Sequence, residues 1–498
     1  MRLTDLLANL APVPASAASC EVSGLAVDSA KTKPGNLFFA LQGTVRDGRD
    51  YIDDALANGA LAIITDDRTL NKTPKAGVSI IQVANPRRVM ARAAARFWPQ
   101  QPSMMAAVTG TNGKTSTVEF MRQLWTRVNW QAASIGTIGV RGVTQPKKAG
   151  AIPDLPYLTT PDSISMHNTL AAITKTGVTH LALEASSHGL QQCRLDGLNI
   201  HVAGFTNLSR DHLDHHNDMD SYFAAKMRLF ETLLIEGGAA VVNGDDPYGK
   251  ALLDRIKDRP IVIKTFGTGA DADFHIEEIT TTDAGLDLKV TYQGRRWHIP
   301  LALAGTFQAM NALTAGIMCH LSGLPLHDSL GALSYLKPVA GRMQIIHGHP
   351  AAAKVIVDYA HTPDALAAAL AALRPAVTGK LVVLFGCGGD RDKGKRPEMG
   401  KIASNNADQI IITDDNPRSE DAATIRAEII AACPGATEVA SRDKAIAVAL
   451  NSLSAGDVLL IAGKGHETVQ LVGNESLPFD DAAIASHLMA QMHNEAAS

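Results

Sequence analysis

Val108-Thr109-Gly110-Thr111-Asn112-Gly113-Lys114-Thr115 follows the apolar run Met104-Met105-Ala106-Ala107-Val108 and leads into a helical pattern. A strand, a glycine-bearing loop, Lys-Thr and a helix, in that order, read as a phosphate cradle. Gly110 and Gly113 can adopt the backbone angles that turn amide N–H groups inward, Lys114 reaches the outer phosphates, and the Thr115 hydroxyl suits Mg²⁺. The loop departs from the full G-x-x-x-x-G-K-[ST] pattern at its first position, which is Val108.

Around this loop the composition is that of an ordinary globular chain. The 498 residues suit about three domains. Hydrophobic residues make up 46% and charged ones 19%, and a formal charge of -4 gives no general basic surface, which argues against nucleic acid or an anionic membrane as the main partner. Cys20, Cys193, Cys319, Cys387 and Cys433 are scattered and never in C-x-x-C spacing, so reduced thiols in a cytoplasmic protein are expected. No apolar stretch approaches the ~20 residues of a membrane span, and the first ten residues lack the core of a signal peptide.

Before the loop, short strands at Val22–Val27, Leu37–Leu41 and Ala60–Thr65 and a helix over Tyr51–Asn58 predict a small α/β unit. After the loop, Thr179–Glu184 is an apolar strand ending in an acid, and Glu184 is the candidate protein ligand for a nucleotide-bound Mg²⁺. The stretch Phe205–His216 packs three histidines and two aspartates behind another apolar strand; without thiolate partners its spacing resembles no familiar zinc set. Ala224-Ala225-Lys226 begins a further helix, where a lone lysine is ordinarily a solvated charge. Gly305–Asn311 opens another helix, and Pro338–Met343 reads as a connector. From Val355 onward four continuous apolar strands alternate with helices, which predicts a parallel sheet covered on both faces. The loops after those strands carry Asp358–Pro363, Gly388–Arg396, Asp414–Arg418 and Gly463–Glu467 and should meet at one sheet edge. Arginines and a glutamate gathered there could grip a zwitterion.

These motifs, in this order and spread over nearly the whole chain, resemble the Mur ligases, and within them the members that add meso-diaminopimelate. The resemblance implies an α/β fold of three domains: an N-terminal uridine-nucleotide domain over 1–101, a central P-loop ATPase over 102–339 and a C-terminal Rossmann-like parallel-sheet domain over 340–498. It implies an ATP-dependent ligase joining meso-diaminopimelate to UDP-N-acetylmuramoyl-L-alanyl-D-glutamate through an acyl phosphate. ATP and Mg²⁺ are the implied cofactors, with no nucleic acid, no membrane insertion and a monomeric chain. Val27, Ser29, Thr44, Val45 and Arg46 would hold the uridine diphosphate, and Leu158, Thr159, Thr160, Ser186, Gln192 and Arg194 the sugar-peptide.

The same resemblance gives ATP to Gly110, Thr111, Asn112, Gly113, Lys114, Thr115 and Ser116, with Asn311, Arg342, Asp358 and His361 around it. Thr115, Glu184, His212 and Lys226, the last as a carbamate, would ligate metal; Lys114, Lys226 and His212 are the implied catalytic groups. Arg391, Asp415, Asn416, Pro417, Arg418, Gly463 and Glu467 would bind the diaminopimelate, Arg418 taking the distal carboxylate that lysine lacks. Ala30 and Leu158 depart from the commoner pattern, where Arg and Asn are frequent. The competing expectations are another amide-forming relative, such as a folylpolyglutamate synthetase, and a nucleotide-driven switch that hydrolyses ATP without an acid and an amine.

Overall fold

The computed structural model describes residues 1–43, 46–66, 79–143, 158–211, 215–282 and 284–497. Three separate sheets, each covered by helices, follow one another along the chain. The first is wholly parallel, in the order β1 (Gly24–Ala26), β2 (Asn36–Phe39), β3 (Ala62–Thr65) and β4 (Ser79–Gln82). Its first strand is shorter than the apolar pattern from Val22 suggests.

The second sheet runs β14-β13-β12-β11-β10-β9-β5-β8-β6-β7. In chain order these are β5 (Met104–Thr109), β6 (Ala132–Gly136), β7 (Gly139–Arg141), β8 (His180–Glu184), β9 (Ile200–Phe205), β10 (Leu234–Asn243), β11 (Val262–Gly267), β12 (Phe274–Thr282), β13 (Gly285–Tyr292) and β14 (Arg295–Leu301). From β12 to β6 the neighbours are parallel; β7, β13 and β14 extend the two ends antiparallel. Two apolar cores lie on its opposite faces, one around Trp125, Phe266 and Phe274, the other around Phe205, Tyr222 and Phe230. Residues facing both ways along β5 are buried, which is why Met105–Val108 reads as a continuous apolar run.

The third sheet has the order β15-β16-β20-β17-β18-β19. Its strands are β15 (Gln344–Ile346), β16 (Lys354–Asp358), β17 (Leu381–Phe385), β18 (Gln409–Ile412), β19 (Thr437–Glu438) and β20 (Val458–Ala462), all parallel except β15. A hairpin of β21 (Val469–Val472) and β22 (Glu475–Pro478) follows. The four apolar strands expected after Val355 are thus adjacent, and their four charged loops leave the same carboxyl edge.

One helix is placed differently from its sequence reading. It runs Met219–Arg228, so Lys226 lies in its last turn rather than near its start. Asp218 caps it, accepting from the Ser221 N–H at 2.7 Å in a reciprocal capping box, a stronger start signal than the alanine pair. Among the described residues no helix is long and apolar enough to cross a membrane.

Candidate active site

The phosphate loop occupies the carboxyl end of β5, between β8 and β9. Gly110 and Gly113 take φ of 152° and 86°, and the Lys114–Arg127 helix starts directly after Gly113. The first-turn N–H groups of that helix are the donors such a loop offers to an anion, whereas the Thr111 and Asn112 N–H groups donate to the Asn207 carbonyl and Oδ1 at 2.9 and 3.0 Å. Gly113 has a second reason to lack a side chain: a Cβ there would stand 2.3 Å from Asn311 Oδ1. Asn311 in turn donates to Gln308 Oε1 at 3.1 Å, and Gln308 donates to the Arg342 carbonyl at 3.3 Å.

Two lysines converge on this loop. Lys114 Nζ donates to the carbonyls of Gly110 and Thr111, both at 2.8 Å; Lys226 Nζ donates to the Gly110 carbonyl at 2.8 Å and lies 4.5 Å above the Tyr222 ring. Burial depresses the Lys114 ammonium, opposed by Glu184 and Asp211. Burial, and then the Lys114 charge, push Lys226 well below its ordinary value. Lys226 is 1% exposed, so it is not the solvated lysine that helix position alone suggests.

Register sets Glu184 beside the loop, because Val108 pairs with Glu184 across β5 and β8. The carboxylate is buried and receives the Thr137 N–H at 2.8 Å on Oε1 and the Thr137 hydroxyl at 3.0 Å on Oε2. Thr115 Oγ1 accepts from Arg342 Nη2 at 3.3 Å. The donor set of Thr115 hydroxyl and Glu184 carboxylate is hard oxygen, which fits Mg²⁺. His212, Thr44 and Val45 lie outside the described residues.

A cavity of about 500 Å³ lies between the second and third sheets. On one wall stand Leu158, Thr159, Thr160, Ser186, Arg194 and Asp211 from the second sheet. On the other stand the four loops of the third: His361 after β16, Arg391 after β17, Asp415, Asn416 and Arg418 after β18, and Gly463 and Glu467 after β20. The residues of the first wall are locked together. Arg194 Nη1 donates to the Thr160 carbonyl at 2.7 Å and Nη2 to Gln192 Oε1 at 2.9 Å, while Ser186 N–H donates to Thr160 Oγ1 at 2.9 Å.

On the facing wall, Arg418 takes a left-handed φ of 52°. It is held there by the hairpin, since its N–H donates to the Leu471 carbonyl at 3.1 Å and its carbonyl accepts from Gly473 N–H at 2.7 Å. Its Nη1 donates to the Gly389 carbonyl at 2.8 Å. Asn416 Nδ2 and Lys464 Nζ both donate to Glu467 Oε2, at 2.8 and 3.0 Å. Pro417, between them, contributes backbone shape: its carbonyl lies 1.9 Å from where a Cβ on Gly389 would be.

Arg342 joins the walls. Besides Thr115, it reaches His466 Nδ1 from Nη1 at 3.3 Å and lies 4.4 Å above the Tyr359 ring. A guanidinium only donates, so His466 Nδ1 accepts and the ring is neutral; burial and Arg342 push that imidazole down to about 3. His361 is held down to about 4, by burial and then by Lys395. Its Nδ1 faces the Tyr359 carbonyl at 2.8 Å, which makes Nδ1 the protonated nitrogen. Asp358 accepts from Met343 N–H at 2.7 Å, and burial raises it to about 6.

The uridine candidates stand apart from this cavity. Val27, 40% exposed, Ser29 and Arg46 flank the carboxyl edge of the first sheet. Sequence reading passed over Thr137 and gave Lys464 only as part of the Gly463–Glu467 loop. Thr137 sits between Gly136 and Gly139 after a buried strand, a turn signal of the kind already used elsewhere. Lys464 is wholly buried and donates to Asn416, Glu467 and the Val469 carbonyl. His188, His215 and His216 gather their ring nitrogens within 4.8 Å of one another, bringing to the histidine-rich loop a third member from the helix Ser187–Gln191. His188 and His215 are stacked, 3.8 Å between centroids and 27° between planes, and His215 Nε2 is engaged with Gln191 Oε1 at 2.7 Å.

A phosphate loop tied through Arg342 to the charged loop edge of the third sheet is the arrangement of an ATP-dependent ligase. Residues 108–319 match the Mur ligase middle domain, 341–465 the domain described as "Mur ligase, glutamate ligase domain" and 21–98 the Mur ligase family catalytic domain. The UDP-N-acetylmuramoyl-L-alanyl-D-glutamate--2,6-diaminopimelate ligase of Bradyrhizobium diazoefficiens is 48% identical, over 99% of this chain and all of that one. The ligase of the same name from Caulobacter vibrioides is 47% identical, over 93% and 94%. A solved structure of a ligase of that name aligns with a TM-score of 0.69 at 32% identity, covering 99% of both chains. The chain belongs to the Mur ligase family.

Proposed function

We propose that this chain joins meso-diaminopimelate to the D-glutamyl carboxyl of UDP-N-acetylmuramoyl-L-alanyl-D-glutamate at the expense of ATP. The observation that carries the reading is the cavity between the second and third sheets, whose lining residue Tyr359 lies under Arg342, the donor to Thr115 of the phosphate loop. Residues 1–101 hold the uridine end through Val27, Ser29, Thr44, Val45 and Arg46. Residues 102–339 hold ATP and the acid, and residues 340–498 deliver the amine.

A carboxylate is a poor electrophile, so one of its oxygens first attacks the γ-phosphorus and the bond to the bridging oxygen breaks, releasing ADP. The amine nitrogen then attacks the acyl carbon, the carbon–oxygen bond to phosphate breaks, and the nitrogen loses its proton to give the amide. Lys114 and the amides of Gly113–Ser116 at the start of the helix bind the charge that builds on the transferring phosphoryl group, with Gly110, Thr111 and Asn112 shaping the loop around it. Asn311, Arg342, Asp358 and His361 surround the nucleotide. Thr159, Thr160, Ser186, Gln192 and Arg194, beside Leu158, orient the acid. Arg418 and Arg391 take carboxylates of the amino acid, and Glu467, anchored through Oε2, keeps Oε1 for its ammonium, with Asp415, Asn416, Pro417 and Gly463 shaping the pocket.

Thr115, Glu184, His212 and a carbamylated Lys226 would hold Mg²⁺, which supplies charge neutralisation on the β- and γ-phosphates. Burial of Lys226 favours its neutral amine, the form that adds to CO₂ and so becomes a carboxylate-like ligand.

An amino-acid panel in a coupled phosphate-release assay tests the reading. ADP and phosphate should appear only when UDP-muramoyl-dipeptide and meso-diaminopimelate are both present. Equal turnover with lysine would overturn the substrate, and ATP hydrolysis needing neither acid nor amine would overturn the ligase.

A further inference from the structure

Two residues on neighbouring loops of the third sheet carry side chains at left-handed backbone angles: Asp390, at φ 55°, and Arg418, at 52°. Such angles persist where surrounding contacts hold them, and beyond the hairpin's hold on Arg418 the two loops hold each other. Ser419 gives its N–H to Asp390 Oδ2 at 3.2 Å and its hydroxyl to Oδ1 at 2.7 Å. Asp390 gives its own N–H to Glu420 Oε1 at 2.6 Å. The Gly389 N–H donates to the Asn416 carbonyl at 2.9 Å, and Arg418 Nη1 closes the ring on the Gly389 carbonyl at 2.8 Å. Glu420 is itself anchored. Nη2 of the fully buried Arg396 donates to both its oxygens, at 3.0 and 3.1 Å, and Lys393 Nζ lies 3.2 Å from Oε2. Arg396, then the Asp390 N–H and Lys393, hold the Glu420 carboxyl down to about 2.

Arg391 and Arg418 converge on this clasp. A Cβ on Gly388 would stand 2.8 Å from Arg418 Nη1 and 3.9 Å from Arg391 Cγ, so the two side chains flank one glycine. Arg391 directly follows Asp390, and Arg418 directly precedes Ser419. We propose that Asp390 is a positioning residue: its carboxylate, clasped by Ser419, keeps the Gly389 carbonyl under Arg418 and the stem of Arg391 beside it, so that the pair meets a carboxylate of the incoming amino acid as one preformed clamp. Ordering a long side chain at the moment of binding costs affinity; the clasp orders these two on folding. Asp390 does not line the cavity, whereas both arginines do, so it acts on the ligand through them. This rests on the reading of Arg391 and Arg418 as carboxylate contacts.

The test is steady-state kinetics of the full chain, with meso-diaminopimelate varied at saturating ATP and UDP-muramoyl-dipeptide. Asp390→Gly removes the carboxylate but keeps the N–H for Glu420 and a backbone at ease with φ 55°. It should raise the KM for meso-diaminopimelate by roughly two- to tenfold, the range of one ordinary hydrogen bond, and leave the KM for ATP where it is. In an Arg418→Ala background the same change should have a smaller effect, because residues that act through one another are not additive. Ser419→Ala should reproduce part of the rise and Ser419→Thr should reverse it, a rescue that a general loss of packing would not show. Asp390→Gly with the wild-type KM, where Arg418→Ala raises it, overturns the role of Asp390; so does a rise that is undiminished in Arg418→Ala. Should Asp390→Gly not fold, the two Ser419 variants decide, and equal KM values for them overturn the proposal. If Arg418→Ala itself has the wild-type KM, the reading of Arg418 has failed and the proposal falls with it.

Discussion

At Asp358, burial raises the carboxyl to about 6, opposed by the Arg342 guanidinium and by the N–H groups of Met343 and Ala360. The folded protein keeps a proton there that the unfolded chain, with an ordinary value of 3.8, gives up. Where the native state binds more protons, stability falls as pH rises. The loss runs between the two values and reaches about 3 kcal/mol above the upper one, at 1.36 kcal/mol per unit. Asp358→Asn keeps an oxygen for the Met343 N–H and has no proton to lose. Urea unfolding from pH 4 to 7 should therefore show a shallower decline in the variant, and identical slopes would contradict the buried-acid assignment. Arg418 supplies a second prediction at this scale. Its Nη1 donates to the Gly389 carbonyl, and the residue lines the cavity. Arg418→Ala should raise the KM for meso-diaminopimelate by about tenfold or more, since a charge-assisted hydrogen bond is worth roughly 1.5–3 kcal/mol. The KM for ATP should not move; a shift in both would place Arg418 in the general integrity of the domain instead.

Among the elements, the strand, loop and helix from Met104 to Arg127 were legible because every signal in them is local: a buried apolar run, two glycines, then Lys-Thr. The four strands after Val355 were legible for the same reason, and their loops share a cavity because parallel strands put their carboxyl ends on one edge. What local patterns do not carry is contact between distant segments. Thr137 touches Glu184 from 47 residues away, and only the pairing of β6 with β8 brings them together. The buried state of Lys226 is likewise set by packing against Gly110, 116 residues earlier. The loop and the Thr306–Leu321 helix also meet through such a contact, which gives a prediction. Gly113→Ala combines a left-handed φ, at about 1–2 kcal/mol for a side-chain-bearing residue, with displacement of Asn311. A loss of about 2–3 kcal/mol in urea and a weakened ATP affinity are expected. An alanine variant with unaltered ATP affinity would show that Asn311 yields freely and has no part in nucleotide binding.

For the molecule as a whole, the chemistry demands that an acyl phosphate made beside one domain meet an amine carried by another before water does. Arg342 spans the two: it reaches Thr115 of the phosphate loop and His466 of the C-terminal domain, and covers Tyr359. Because His466 accepts that bond through an unprotonated nitrogen, the tie holds across the pH range of the assay. Closure of this kind excludes water from a reactive intermediate. If Arg342 is what holds the domains shut during the lifetime of the acyl phosphate, removing it should cost coupling as well as rate. In the wild type one ADP should form per amide made. In Arg342→Ala, ADP should exceed amide, and the excess should grow as meso-diaminopimelate is lowered, because a longer-lived acyl phosphate meets more water. Product and ADP measured in the same quench decide the matter. A slow variant that still makes one amide per ADP at limiting amine would mean that Arg342 serves the phosphoryl transfer alone and that something else keeps the cavity dry.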